Sequence, residues 1–169
     1  MPVSLAINTS DLRSLYLENN KRYHPDFHTL ASEEAQEIAL EHASLNNVAY
    51  KTLIDPDKRL QYVLELKGLL LADDSDVTLP QAFLFEMMEI NEEIMELEFE
   101  PDQDKYHLIA KKLTTLESES FQKVQNLLEK WSENTGSLEE LKNAREYFLK
   151  KRYLLRVKEN LSKFAAAFE

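Results

Sequence analysis

The chain has no cysteine, and among its 169 residues only two are glycine and five are proline. The missing thiols exclude disulfides, thiol catalysis and thiolate metal ligands together, and make a reducing cytoplasm the expected compartment. So few turn-forming residues suit neither a β-rich nor a loop-rich fold. No run of 18 apolar residues offers a membrane-spanning helix. The first residues, Met1 to Asn8, are too short and too lightly charged for a secretion signal. Cations are scarce as well. Twenty Lys and Arg stand against 31 Asp and Glu, for a net charge of −11, which sets the chain as a whole against nucleic acid. There is no glycine-rich phosphate loop, so ATP is not an expected ligand.

What is present is helix-forming. Leu, Glu, Lys, Ala and Met run through the chain, and 43% of residues are hydrophobic, enough to bury a core rather than stay disordered. Apolar spacing predicts a first helix capped by Thr9 or Ser10, with Leu12, Leu15, Tyr16 and Tyr23 as its buried stripe and Pro25 ending it. Arg13, Lys21 and Arg22 project elsewhere and give an acidic protein a local positive surface. A second helix starts near Ser32, with Ile38, His42, Leu45, Ala49 and Leu53 along one side. Asp55-Pro56 opens a third, with Asp55 as cap and Pro56 at its first position. It carries Leu60, Val63 and Leu64 and stops at Gly68.

The acidic stretch Asp73-Asp74-Ser75-Asp76 has no helical stripe and marks a boundary: residues 1–70 form one domain, 71–78 a linker and 79–169 a second domain. Helices follow from about Pro80 to Glu100 and from Asp102 to Asn134, closed by Gly136. The last opens on the capping box Ser137-Leu138-Glu139-Glu140, with Tyr147, Leu154, Val157, Leu161, Phe164 and Phe168 on one face. The fold class expected is all-α: a helical hairpin followed by an antiparallel three-helix bundle.

One tripeptide stands out. His24-Pro25-Asp26 lies between two amphipathic helices. Taken alone it reads as a turn, since all three residues suit turns. Its surroundings are Lys21-Arg22-Tyr23 before it, then Ala43-Ser44-Leu45-Asn46-Asn47-Val48-Ala49-Tyr50, Leu53-Ile54-Asp55-Pro56-Asp57-Lys58-Arg59, Tyr62 and Gly68. On the helix after Pro80, Phe83, Met87, Ile90, Ile94 and Leu97 complete a core stripe. Leu84, Phe85 and Met88 remain as apolar surplus, edged by Glu89, Glu92 and Glu96. An apolar patch with an acidic edge suits a partner, and methionine adapts to irregular surfaces; cover by the last helix is the competing reading.

Together these motifs resemble a J-domain and, over nearly the whole chain, the HscB family, the J-type co-chaperones of bacterial iron–sulfur cluster assembly. The resemblance implies a co-chaperone, not an enzyme, with no catalytic residues, no metal and no cofactor of its own. His24, Pro25 and Asp26 would contact HscA, a DnaK-type ATPase chaperone, with Arg13, Lys21 and Arg22 meeting an acidic surface on it. Leu84, Phe85, Met88, Glu89, Glu92 and Glu96, joined by Tyr153, would hold IscU, the scaffold on which clusters are built. The chain would deliver the scaffold and stimulate ATP hydrolysis. The alternative is a J-domain adaptor that recruits a general DnaK chaperone to another client. A further option is a stand-alone helical interaction protein.

The chain departs from the family in three ways. The short aromatic helix that opens the family's J-domain is not seen ahead of Thr9. Without that cover, Leu15, Ala49 or Leu53 is expected to be exposed or shielded by a neighbouring molecule, which would make the chain prone to self-association. Phe27 stands where many J-domains carry Lys. The zinc-binding cysteines of some relatives have no counterpart. Elsewhere, His28, His42 and His107 show no metal-ligand spacing. Trp131 reads as packing on the long helix, and Lys150-Lys151-Arg152 as a solvated face.

Overall fold

The computed structural model describes residues 3–70 and 79–165. Among them run six helices: α1 (Thr9–Tyr23), α2 (Glu33–Ile54), α3 (Pro56–Leu66), α4 (Gln81–Phe99), α5 (Gln103–Lys130) and α6 (Leu138–Ser162). The fold is all-α, as expected. The linker expected over 71–78 and the end of the α6 stripe at Phe168 lie outside the described residues.

Local chemistry sets the helix ends. The Ser32 side chain accepts from the Ala35 amide, and that of Asp102 from the Lys105 amide. Ser137 and Glu140 form the full reciprocal capping box. Asp55 caps α3 through the amides of Asp57 (2.9 Å) and Lys58 (3.2 Å), with Pro56 at the first position. Gly68, at φ 68°, ends α3. The Leu69 amide reaches back to the Leu64 carbonyl (2.8 Å) and the Gly68 amide to that of Glu65 (2.9 Å), a Schellman closure that needs the left-handed residue.

Two ends differ from expectation. The cap of α1 is Asn8, whose amide oxygen accepts from Ser10 and Asp11. Helix α5 stops at Lys130, four residues short of the expected Asn134, because Trp131 turns to extended backbone (ψ 130°) and buries its ring. The indole N–H donates to the Ser137 carbonyl at 3.2 Å. Gly136 lies so close to that ring that a Cβ there would overlap it. It marks the turn into α6 rather than the end of α5.

Helices α4, α5 and α6 run alternately up and down. Across α4 and α5, Glu93 pairs with Lys112 and Glu96 with Lys105; across α5 and α6, Glu117 pairs with Lys158. The α5–α6 hairpin supports two cores. At one end, Phe83, Met87, Ile90, Ile94 and Leu97 of α4 pack with Ile109 and Leu113 of α5 and Leu154, Val157 and Leu161 of α6. At the other, Leu60, Val63 and Leu64 of α3, with Leu5 and Leu70, pack against Val124, Trp131, Leu141, Ala144, Tyr147 and Phe148. Short backbone bonds from Leu5 to Trp131 (3.0 Å) and from Glu133 to Val3 (2.8 Å) tie the N-terminal segment to that end.

Hairpin α1–α2 projects from this body. None of the α1 residues is buried, and Ala39 alone is buried in α2. The expected stripe of Leu12, Leu15, Tyr16 and Tyr23 is therefore at most half-buried, and Leu15 is exposed. Helix α2 meets α1 through His42, Asn46, Asn47 and Tyr50. Of its expected stripe His42 is therefore in the seam, Leu53 is half-buried, and Ile38, Leu45 and Ala49 are exposed. The exposure expected of Leu15 and Ala49 is found; that of Leu53 is not.

Of the basic run at 150–152, Arg152 is exposed as expected, but Lys150 and Lys151 are half-buried and paired. Lys150 pairs with Glu146 at 2.6 Å, and Lys151 bonds both carboxylate oxygens of Asp57 at 2.7 Å, so α6 is clipped to α3. Burial opposes the charge on Lys151, but Asp57 and Tyr147 outweigh it and raise its pKa.

Candidate docking sites

The first candidate is the end of the α1–α2 hairpin. The hairpin's alignment comes from directional contacts. Tyr16 stacks on Tyr50 with centroids 4.1 Å apart, and Tyr23 on His42 at 4.7 Å. Between them, Asn46 accepts from the Asn19 amide (3.2 Å) and donates to the Tyr16 carbonyl and to Asn20, both at 3.1 Å. The Tyr16 hydroxyl donates to Asn47 at 2.9 Å.

Pro25 cannot donate, and His24 takes extended backbone (φ −64°, ψ 129°), so α1 ends there and Pro25–Phe27 form one 3-10 turn. The Asp26 amide donates to His24 Nδ1 at 3.3 Å. That bond requires a bare Nδ1 and leaves the proton of the neutral ring on Nε2. His28 Nε2 donates to the Arg22 carbonyl at 3.0 Å. Gln36 ties the far side down through the carbonyls of Thr29 and Ala31.

The corner is thus held from both sides while His24, Pro25 and Asp26 face solvent. Arg13, Lys21 and Arg22 are also exposed and form no ion pair among the described residues. Arg13 and Lys21 lie about 80° apart around the helix axis and Arg22 about 100° further round, so the positive charge spreads rather than forming one patch. The Arg22 guanidinium lies 5.4 Å over the Tyr23 ring. Sequence reasoning missed two features here: Phe27 is exposed with its ring edge-on to His24 (5.9 Å), and Leu30 is fully exposed. Both lack a helical period, which is the signal that picks out apolar surfaces.

The second candidate is the outer side of α4. Phe85 and Met88 are exposed, Leu84 half-buried, and Glu89, Glu92 and Glu96 exposed. Tyr153 of α6 adjoins this side, half-buried with its ring edge-on to Phe83 (5.8 Å). The last helix therefore leaves Phe85 and Met88 uncovered. The acids divide into two sets. Glu93 and Glu96 turn toward α5 and pair with Lys112 and Lys105, and the bond from Glu96 raises the pKa of Lys105. Glu89 and Glu92 have no cation among the described residues. Met95 and Phe99, further along the same crest, are exposed and were not among the expected residues.

The remaining histidines are exposed and make one ring contact each: His42 stacks on Tyr23, and His107 lies edge-on to Tyr106 at 5.5 Å. Among the described residues no His, Asp and Glu cluster has the geometry to hold a metal ion, and no helix is long and apolar enough to cross a membrane.

Residues 79–162 match the family model described as the HSCB C-terminal oligomerisation domain. That segment spans α4, α5 and α6. The solved chaperone HscB from Vibrio cholerae superposes with a TM-score of 0.66 at 25% identity, covering 100% of this chain and 95% of that one. This chain is HscB-like.

The crystal structure of the human co-chaperone protein HscB agrees, with a TM-score of 0.68 at 27% identity over 94% of this chain and 75% of that chain. In sequence, the HscB-like chain is 34% identical to the human iron–sulfur cluster co-chaperone protein HscB over 108 residues, 64% of this chain and 46% of that protein. It is 35% identical to the co-chaperone protein HscB of Proteus mirabilis over 102 residues, 60% of this chain and 59% of that protein. The matched region thus spans about half the length of these relatives.

Proposed function

We propose that the HscB-like chain is a co-chaperone of iron–sulfur cluster assembly that carries a scaffold of the IscU type to an HscA-like, DnaK-type ATPase chaperone and stimulates its ATP hydrolysis. Residues 1–70 act as the J-domain and 79–169 as the client-binding bundle. The observation that carries this reading is the His24-Pro25-Asp26 corner: solvent-facing, yet fixed by the Asp26 amide on His24, the His28 bond to Arg22 and the Gln36 clasp.

The corner supplies no general base, nucleophile or metal. Its work is differential binding. If the chaperone's hydrolysing state accepts a rigid corner better than the resting state does, docking shifts the population toward hydrolysis by that difference in affinity. A preset corner avoids the cost of ordering a loop on contact. Arg13, Lys21 and Arg22 add charge steering, a term that salt weakens. At the far end of the molecule, the outer side of α4 with Tyr153 binds the scaffold through Leu84, Phe85 and Met88. Glu89 and Glu92 supply the complementary charge, while Glu96, at the edge of the patch, is already paired with Lys105.

The test is single-turnover ATP hydrolysis by the HscA-like chaperone, with the chain and the scaffold added separately and together. Coupling between sites of this kind is worth about 5- to 150-fold. Asp26→Asn, at an exposed position, should abolish most of the stimulation with the melting temperature unchanged. Undiminished stimulation by that variant would discard the J-domain reading. Equal stimulation of a general DnaK chaperone with unfolded peptide would transfer the role to an unrelated client.

A further inference from the structure

The crest of α4 carries more apolar surface than the expected scaffold residues account for. Phe85 is 63% exposed, Met88 56%, Met95 57% and Phe99 85%. With Glu92 they stand at positions 85, 88, 92, 95 and 99, a spacing of three and four that keeps one line along a helix. Fourteen steps of 1.5 Å from Phe85 to Phe99 make that line ~21 Å long. The inner side of α4 is complete without it, since Phe83, Met87, Ile90, Ile94 and Leu97 are buried. Aromatic and methionine side chains lined up in water are unusual on a surface with no partner.

Charge says what kind of partner. The acids on the α5 side are already neutralised, Glu93 by Lys112 and Glu96 by Lys105. Glu92, at the middle of the apolar line, and Glu89 beside it have no cation among the described residues. An apolar strip closing over Glu92 would strand a carboxylate away from water unless it brought a cation.

We propose that the client footprint extends along the whole crest of α4, adding Met95 and Phe99 as contact residues, and that the client presents an apolar strip ~20 Å long with a lysine or arginine at its middle, opposite Glu92. The proposal rests on the reading of this helix as the scaffold-binding surface and deepens it: the docked strip is elongated, and its register is set by one central ion pair.

The test is titration calorimetry of the full chain with the purified IscU-type scaffold. Met95→Ala/Phe99→Ala should weaken binding by about tenfold or more, the scale of interfacial anchor residues, and as much as Leu84→Ala/Met88→Ala does. Glu92→Lys should weaken it too and flatten its salt dependence. Reversal of one scaffold Lys or Arg to Glu should restore binding to Glu92→Lys alone. Met95, Phe99 and Glu92 are exposed, so the melting temperatures of their variants should hold. Phe99→Leu, which keeps the apolar contact, should bind nearly as the parent does.

If Met95→Ala/Phe99→Ala binds as the parent does while Leu84→Ala/Met88→Ala fails, the footprint ends near Met88. The inference is then wrong and the docking reading stands. If neither pair alters affinity, the docking reading falls and takes the inference with it. If the parent self-associates, Met95→Ala/Phe99→Ala dissociates it and scaffold affinity is unchanged, the crest belongs to a second copy and the inference is overturned.

Discussion

Two of the molecule's antiparallel helical hairpins, α1–α2 and α5–α6, are built by opposite means. Hairpin α5–α6 is held by burial: Leu113, Ala144 and Leu141 are almost wholly removed from water, and the pair supports a separate apolar core at each end. Hairpin α1–α2 buries one alanine, and its seam is a row of asparagines and stacked rings. Burying a leucine is worth about 1.5–3 kcal/mol, whereas a net hydrogen bond is worth about 0.5–1.5 kcal/mol. The first hairpin therefore has little stability to spare but a well-specified alignment, because hydrogen bonds are directional and apolar contact is not. That combination suits a part whose task is to present one corner at a fixed angle, and it places the corner among the first regions to open.

The largest effect expected from breaking this contrast lies where the hairpin joins the body. Leu64 is fully buried in the core that α3 shares with α5 and α6. Leu64→Ala should cost about 2–5 kcal/mol, the range for a deleted core leucine, read as a fall in the denaturation midpoint. A loss well under 1 kcal/mol would mean that α3 is not anchored there and that the hairpin is tethered rather than fixed. Next comes Asn46→Ala, which removes three bonds across the α1–α2 seam. It should cost about 1–3 kcal/mol and speed amide exchange in α1 while leaving that of α5 and α6 unchanged. Equal acceleration in both hairpins would show that they unfold as one unit and erase the distinction.

The two regions were also unequally legible. In the body, periodicity picked out the buried α4 residues correctly, because an apolar stripe facing an apolar core is the signal that periodicity detects. Asp55, Pro56, Gly68 and Ser137 were readable for a local reason: caps and left-handed stops depend on residues within one turn. In the hairpin the same method found only part of the seam. Tyr16, Tyr23 and His42 of the expected stripes lie in it, but Ile38, Leu45 and Ala49 are exposed, and Asn46 and Asn47, which complete the seam, carry no hydropathy signal. Trp131 was recognisable as packing, but not as the residue that ends α5, since its hydrogen bond to Ser137 forms only once the turn exists. The Asp57–Lys151 clip joins residues 94 positions apart and lies beyond any local rule. Both proposed docking regions were picked out from residue type, order and the family resemblance. The exposed apolar residues beside them, Phe27 and Leu30 at the corner and Met95 and Phe99 on α4, needed exposure to be known.

The smallest expected effect sharpens the junction between the two hairpins through pH. Asp55 caps α3 at the point where α2 hands over to the anchored helix. Its carboxylate accepts from the Lys58 and Asp57 amides. The Lys58 bond contributes most to holding its pKa below the ordinary aspartate range, against an opposing desolvation, with Asp57 and the nearby lysines adding to it. In the unfolded chain the group returns to about 3.9. The folded state therefore binds this proton less readily, and the cap's contribution is complete above about pH 4 and is lost as pH falls through the lower folded value. Asparagine caps a helix about as well as aspartate but does not titrate. Asp55→Asn should therefore match the parent in acid, fall slightly behind it near neutrality, and show a shallower loss of melting temperature between those limits. Parallel melting curves for the two proteins across that range would mean that the junction depends on the Asp57–Lys151 clip and the Leu64 core, with the cap a minor contributor.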